Sequence, residues 1–229
     1  MCAIVGLQTT ALTGWQLNFL EALLVCSQIR GRHATGISWV QEPGTIHTEI
    51  VRGDAKEFLS EKPLTTLLTE GQPLSLIGHC RYSTSDLEYN QPIVGDNLAL
   101  VHNGVVTQRE PEEWPEMFNF PPGSFLTRND SEIVLLQQAK YKAGLCPEDH
   151  PLFALPDASL AVLSLDNKGN VEAYHNKKRP LWMAQPEDTC TFFCSTKDIG
   201  RRACFPENEL SAAKVGAIYR YLPQTKIIT

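Results

Sequence analysis

The stretch ASLAVLSLDNKGNVEAYHN, residues 158–176, decides the fold class. Ala158–Asp166 is an apolar run with strand composition, and Val171–Asn176 is a second, shorter one. Between them, Asn-Lys-Gly-Asn supplies the residue types of a tight hairpin turn, so the two runs are expected to pair antiparallel. The same paired order recurs upstream, where TGISWV (35–40) and TIHTEIV (45–51) flank the turn signal Glu-Pro-Gly. AIVGL (3–7), LSLIGHCRYS (74–83), NLALVHNG (97–104), TFFCS (191–195) and AIYRYL (217–222) read as further strands. Helical spacing is rarer. Trp15–Ile29 places Leu17, Leu20, Leu23, Leu24 and Ile29 near one face, with Gly31 past its end. A second helix is expected within 54–70. A third spans 130–141, with Asp130 or Ser131 as its cap and Glu132 in its first turn. Residues 107–125, rich in Pro, Glu and aromatics, read as an irregular excursion. Helices interleaved singly between strands would indicate a parallel sheet. Strands arriving in pairs predict an α+β fold of two mostly antiparallel sheets covered by helices. With no linker in view, residues 1–229 are expected to form one domain.

Composition narrows the function. Of 229 residues, 42% are hydrophobic and 20% charged, the balance of a globular protein with a real core. The net charge is −6 and no basic stripe is present, which argues against nucleic-acid partners; Lys177-Lys178-Arg179 reads as a solvated turn. No apolar run reaches membrane-spanning length, and the start lacks the form of a signal peptide, so no membrane association and a cytoplasmic location are expected. The seven cysteines are then expected as free thiols. Cys190 and Cys194 fit a strand better than a zinc pair, and neither a metal nor another cofactor is expected.

Three places break the core pattern. In GHCRYST (78–84) strand alternation puts His79, Arg81 and Ser83 on one side. An arginine ending an apolar strand needs a partner; a carboxylate matches its fork, whether from a substrate or from a structural ion pair. In HNG (102–104), Asn103 offers a side-chain amide and Gly104 an approachable backbone N–H. They could form an oxyanion hole or a type I′ hairpin turn. In RNDSE (128–132), Asp130 could cap a helix or accept hydrogen bonds from a substrate ammonium. Cys2, next to the initiator methionine, adds a nucleophile. Together these would suit a substrate with an α-amino-acid head and an amide tail.

The order of these motifs resembles the glutaminase domain of the class II glutamine amidotransferases, which are N-terminal-nucleophile hydrolases. The resemblance rests on MCAIVG (1–6), RGRHATG (30–36), GHCRYST (78–84), NQP (90–92), VHNG (101–104) and NDSE (129–132), with weaker echoes in ASLAVLSLD, RPLW (179–182) and FFCSTKD (192–198). It implies a four-layer α-β-β-α sandwich. It also implies roles: Cys2 as nucleophile once Met1 is removed, Asn103 and Gly104 as oxyanion hole, Arg81 on the glutamine α-carboxylate and Asp130 on its α-ammonium. Thr84 matches a substrate-contacting position, and Arg30 lies in a loop that orders over bound glutamine. His79, on Arg81's side of its strand, is a further candidate for substrate contact. The chain departs from the family pattern at His33, where Asp is usual, at Asn90, which shifts the usual Asn by one, and at Ala3, where Gly is frequent.

Three functions are compatible with this reading. The first is release of ammonia from glutamine for a synthase. Only about thirty residues follow FFCSTKD, too few for a domain of ordinary size, so that synthase is expected to be a separate subunit. The second is hydrolysis of another γ-glutamyl amine or peptide, because Arg81 and Asp130 would grip the same head group. The third is a binding or regulatory module that has lost turnover.

Overall fold

The computed structural model describes residues 1–83, 88–145, 150–205, 209–222 and 225–228, the last four as backbone alone. In chain order the elements are β1 (Ala3–Thr9), α1 (Gly14–Ser27), β2 (Ala34–Val40), β3 (His47–Val51), α2 (Ala55–Glu61), α3 (Leu64–Leu67), β4 (Leu74–Arg81), β5 (Ile93–Val94) and β6 (Leu98–His102). There follow α4 (Trp114–Met117), α5 (Ser131–Lys142), α6 (Pro151–Ala154), β7 (Ala161–Asp166), β8 (Val171–His175), β9 (Trp182–Glu187) and β10 (Cys190–Cys194). The last are α7 (Lys197–Arg202), β11 (Leu210–Ala212), β12 (Ile218–Leu222) and β13 (Thr225–Ile228).

The strands form two sheets, β11-β9-β10-β1-β4-β2-β3 and β13-β12-β8-β7-β6-β5. Every described pairing is antiparallel, as the paired order of strands predicts. Side-chain alternation along β1 explains the layering. Ala3, Val5 and Leu7 enter a core shared with Leu17, Leu20 and Leu24 of α1, Phe58 of α2 and Ile199 of α7. Ile4 points the other way, into a core with Ala99, Val101, Leu163 and Ala173 of the second sheet. On that sheet's outer face Leu100, Val162 and Tyr174 pack against Ile133, Val134 and Leu135 of α5 and Trp114 of α4. Helices, sheet, sheet and helices thus form four layers, and all of β1 is buried because both of its faces are covered. Each fully buried Leu, Ile or Phe side chain contributes about 1.5–3 kcal/mol to holding them together.

The β7–β8 hairpin forms as expected, and Asp166 organises its turn. Its carboxylate accepts from the Lys168 and Asn170 amides, each at 3.0 Å. The helix expected within 54–70 is broken into α2 and α3. Pro63 lacks the N–H and the space that a continuous helix needs, while Asp54 caps α2 by accepting from Lys56 N and Glu57 N. Asp130 takes the N-cap position of α5, but its side chain makes no cap bond. Asn129 Oδ1 accepts the Ser131 amide at 3.1 Å. Strand β9 has no counterpart in the sequence reading. Cys190 and Cys194 lie in β10, where burial pushes both thiols up to about 12. Among the described residues no helix is long and apolar enough to cross a membrane.

Candidate active site

The register of β1 and β4 builds the site. Ala3 pairs with Cys80 and Ile4 with His79. One further step sets Cys2 opposite Arg81, and alternation puts both on the face of Ile4, toward the second sheet. There the first sheet's β4 meets the end of β6. Between them opens a cavity of about 590 Å³ lined by Cys2, His79, Arg81, Gly104 and Asp130 among others. Asn103 follows β6, 2% exposed, between the lining residues His102 and Gly104. Residues more than one hundred positions apart in sequence thus meet because two strand ends from different sheets converge.

Each group is held by its neighbours. Cys2 Sγ lies 3.8 Å from the Tyr82 carbonyl. Arg30 Nε donates to the Cys2 carbonyl at 2.8 Å, and its Nη2 contacts Met1 Sδ. Arg30 therefore orients the N-terminal segment. Burial and the neighbouring charge of Arg179 pull its guanidinium below the ordinary arginine value. Gly31 makes this possible: a Cβ there would run into the Arg81 and Cys80 backbone, so only glycine lets the 30–33 loop lie on the end of β4. His33, at the departure from the family pattern, accepts the Ser83 amide on Nδ1 at 2.9 Å and stacks on Tyr82.

Arg81 donates through Nη1 to the Tyr89 carbonyl and to Asn90 Oδ1, each at 2.7 Å. Asn90, at a departure from the family pattern, thus has a definite task, orienting the guanidinium. The Tyr89 carbonyl is shared: Asn129 Nδ2 donates to it at 3.1 Å.

The NDSE motif divides its work residue by residue. Asn129 accepts the first amide of α5 and holds Tyr89. Asp130 makes no cap bond; its Oδ2 accepts the Val106 and Thr107 amides at 2.6 and 3.3 Å. Ser131 hydrogen-bonds His102. Glu132 accepts from Leu126 N, Thr127 N and Thr127 Oγ1, fixing the segment before the helix.

Two features speak of an unfilled requirement. Asn103 Nδ2 is buried with no hydrogen-bond partner, and so are both ring nitrogens of His79. Burial, with the charges of Arg81 and His102 added, lowers His79 to about 3, so the ring is neutral near pH 7. The second donor candidate, Gly104, has no space for a side chain. A Cβ would run into the Ser159 carbonyl and His102 Nε2. The 102–104 segment is not a two-residue hairpin, because Asn103 continues the pairing of β6 with β7 by exchanging bonds with Ala161.

The structure brings Cys2, His79, Arg81, Asn103, Gly104 and Asp130 together and sets Arg30 behind Cys2. Thr84 lies outside the described residues. The expected alternation past Arg81 fails: β4 ends there, and Tyr82 and Ser83 both reach the cavity. Tyr89, Gln91, His102 and Ser131, together with Arg109, Glu110 and Trp114 from the 107–125 excursion, also line it without having been assigned a role. The first four lie in or beside NQP, VHNG and NDSE, so attention to every residue of those motifs would have found them. The Pro- and aromatic-rich composition of the excursion is the signal for the others.

No family model and no curated protein matches the chain. Solved structures do. Glutamine phosphoribosylpyrophosphate (PRPP) amidotransferase from B. subtilis, complexed with ADP and GMP, aligns over 100% of this chain with a TM-score of 0.75 and 17% identity. The allosteric regulatory enzyme of purine biosynthesis aligns equally, at 0.75 and 17%. A glutamine aminotransferase class-II domain protein from Silicibacter pomeroyi aligns at 0.64 and 11%, over 98% of its own length. The chain spans about half the length of the first two, 49% and 48%. With two antiparallel sheets between helical layers, it has the α+β N-terminal-nucleophile-hydrolase fold of the class II glutamine amidotransferases.

Proposed function

We propose that this protein hydrolyses the side-chain amide of glutamine to glutamate and ammonia through a γ-glutamyl thioester on Cys2. The observation that carries this reading is the unpartnered, buried Asn103 amide beside Gly104, at a cavity that also receives Cys2, Arg81 and Asp130. A buried donor without an acceptor is costly, about 1–3 kcal/mol, and a developing oxyanion would satisfy it.

Removal of Met1 frees the Cys2 amine, a base carried on the nucleophile's own residue. The neutral amine takes the thiol proton, directly or through one water, and the thiolate attacks the amide carbon. Asn103 and Gly104 donate to the tetrahedral oxyanion. The protonated amine gives its proton to the departing nitrogen, and ammonia leaves as the carbon–nitrogen bond breaks. Water, deprotonated by the same amine, adds to the thioester; the carbon–sulfur bond breaks and glutamate departs. Arg81 and Asp130 hold the two charges of the amino-acid head throughout, and His79 lines the pocket beside Arg81. The residues need no metal or cofactor for this sequence of steps. The ammonia passes to a synthase.

Glutamate and ammonia release by purified protein tests the reading, with intact mass to establish Met1 removal. Glutamine turnover that Cys2→Ala abolishes is the expected result. Turnover of γ-glutamyl peptides with no ammonia from glutamine would replace it by the amidohydrolase reading, and a biological effect that survives Cys2→Ala would favour a silent module.

A further inference from the structure

Behind the Asn103–Gly104 pair lies a closed ring of hydrogen bonds. Gln91 Oε1 accepts the His102 backbone N–H at 2.6 Å. Gln91 Nε2 donates to Ser131 Oγ at 3.0 Å. Ser131 Oγ lies 2.9 Å from His102 Nδ1, and His102 Nε2 lies 2.9 Å from the Ser159 carbonyl. The carbonyl can only accept, so Nε2 carries the proton. Nδ1 is then the acceptor of the Ser131 hydroxyl, which is free to donate because it already accepts from Gln91. All three side chains are buried, and each of these groups has one consistent role.

The ring touches every part of the site. Ser131 follows Asp130 on α5, Gln91 follows the Asn90 that orients Arg81, and His102 precedes Asn103. Ser159 closes the far side: its carbonyl and its Oγ both accept the Val105 amide, at 3.2 and 2.9 Å. The Gly104 turn is therefore clamped from both ends.

We propose that Gln91, Ser131 and His102 are positioning residues, a neutral relay that fixes the Asn103 and Gly104 donors relative to the Asp130 carboxylate. The kinetic part of this inference rests on the glutaminase reading; the geometric part does not. Ser131→Ala removes the hydroxyl that joins Gln91 to His102, and the His102 ring is then held at Nε2 alone. A misplacement of the donors of under an ångström suffices to lower kcat by about tenfold to 10²-fold. The KM for glutamine should change by less than about threefold, because Arg81 and Asp130 are untouched and ground-state binding is retained.

The test combines ¹⁵N NMR of the histidine rings and Asn side chains with glutamine kinetics, on wild type, Ser131→Ala and Gln91→Leu. His102→Gln identifies the His102 signals. The expected result is a neutral His102 protonated on Nε2 in wild type. The Asn103 side-chain amide signals shift in both variants, with kcat lowered, KM nearly constant and the thermal transition kept. A wild-type His102 protonated on Nδ1 would overturn the ring. So would variants whose folded protein keeps the wild-type kcat, since that is the signature of a merely structural role. If the wild type releases no ammonia, the glutaminase reading falls, and the NMR signals alone decide for or against the ring.

Discussion

Helix α5 borders two buried polar clusters that behave oppositely. Near its C-terminal half, on the outer face of the second sheet, Gln138 donates to Ser164 Oγ and Glu172 Oε1 at 2.8 and 2.6 Å. His150 Nε2 lies 2.9 Å from Glu172 Oε1, Arg220 Nε donates to Oε2 at 2.9 Å, and Tyr174 O–H donates to Gln138. Among the described residues no buried side-chain polar atom of this cluster lacks a partner. At the N-terminal end of α5 the Gln91–Ser131–His102 ring is equally complete, yet just beyond it Asn103 and His79 are left unsatisfied. Orphaned atoms alone do not mark a site, since Gln8, Ser27, Gln28 and Arg179 also carry them. Asn103 and His79 differ from these in lying at or beside the cavity that Cys2, Arg81 and Asp130 line. A polar cluster that completes itself holds the fold; under the proposed function, the atoms left open near Cys2 are those a bound substrate would satisfy.

That contrast can be broken by substitution. Glu172→Ala removes the acceptor for three side chains in a dry place and should lower unfolding stability by about 3–5 kcal/mol. The turnover of the folded protein should remain at the wild-type rate; denaturant unfolding and kinetics on the same preparation check both. Burial pushes the Glu172 carboxyl up, and the hydrogen bond and charge of His150, with Lys142 and Arg220, more than offset it. The carboxylate is accordingly charged and bonded, and stability should fall in acid as it is protonated. Asn103→Ala should do the reverse of Glu172→Ala: stability is nearly kept while kcat drops by about 10²–10³, the usual worth of one oxyanion donor. A smaller effect belongs to His79. Its value of about 3 in the folded protein lies below the ordinary 6.5, so the unfolded chain binds the extra proton first. Its contribution is whole above pH 6.5 and is lost as the pH falls toward 3. His79→Asn should flatten the acid side of the stability profile, by about 1 kcal/mol for the first pH unit below 6.5.

The same difference explains what was legible in the sequence. Where one physical pattern governs, reading succeeds: the β7–β8 hairpin and the fully buried β1 follow from apolar runs and turn residues. Trp182–Glu187 does not read as a strand because Pro186 and polar Gln185 interrupt the pattern, and its place is set by pairing with β10 and β11. Asp130 reads as a cap because acids commonly start helices. Asn129 takes the Ser131 amide in the structure, and the Asp130 carboxylate instead holds the Val106 and Thr107 amides. The candidates Cys2, Arg81, Gly104 and Asp130 come from motifs, and the structure brings them to one cavity, with Asn103 buried between two of its lining residues. Gln91, His102 and Ser131 stood inside those motifs without a role, because a relay is defined by which atoms meet across α5, β6 and the loop before β5. One-dimensional spacing does not contain that information.

The account rests on Cys2 becoming acylated. Processed protein should be mixed with glutamine, quenched in acid within one turnover and mapped by mass spectrometry. The account predicts a gain of one glutamyl group on an N-terminal Cys2, absent in Cys2→Ala and much reduced in Asn103→Ala. Ammonia release with no adduct on Cys2, with the adduct on another cysteine, or from protein that retains Met1 would contradict it.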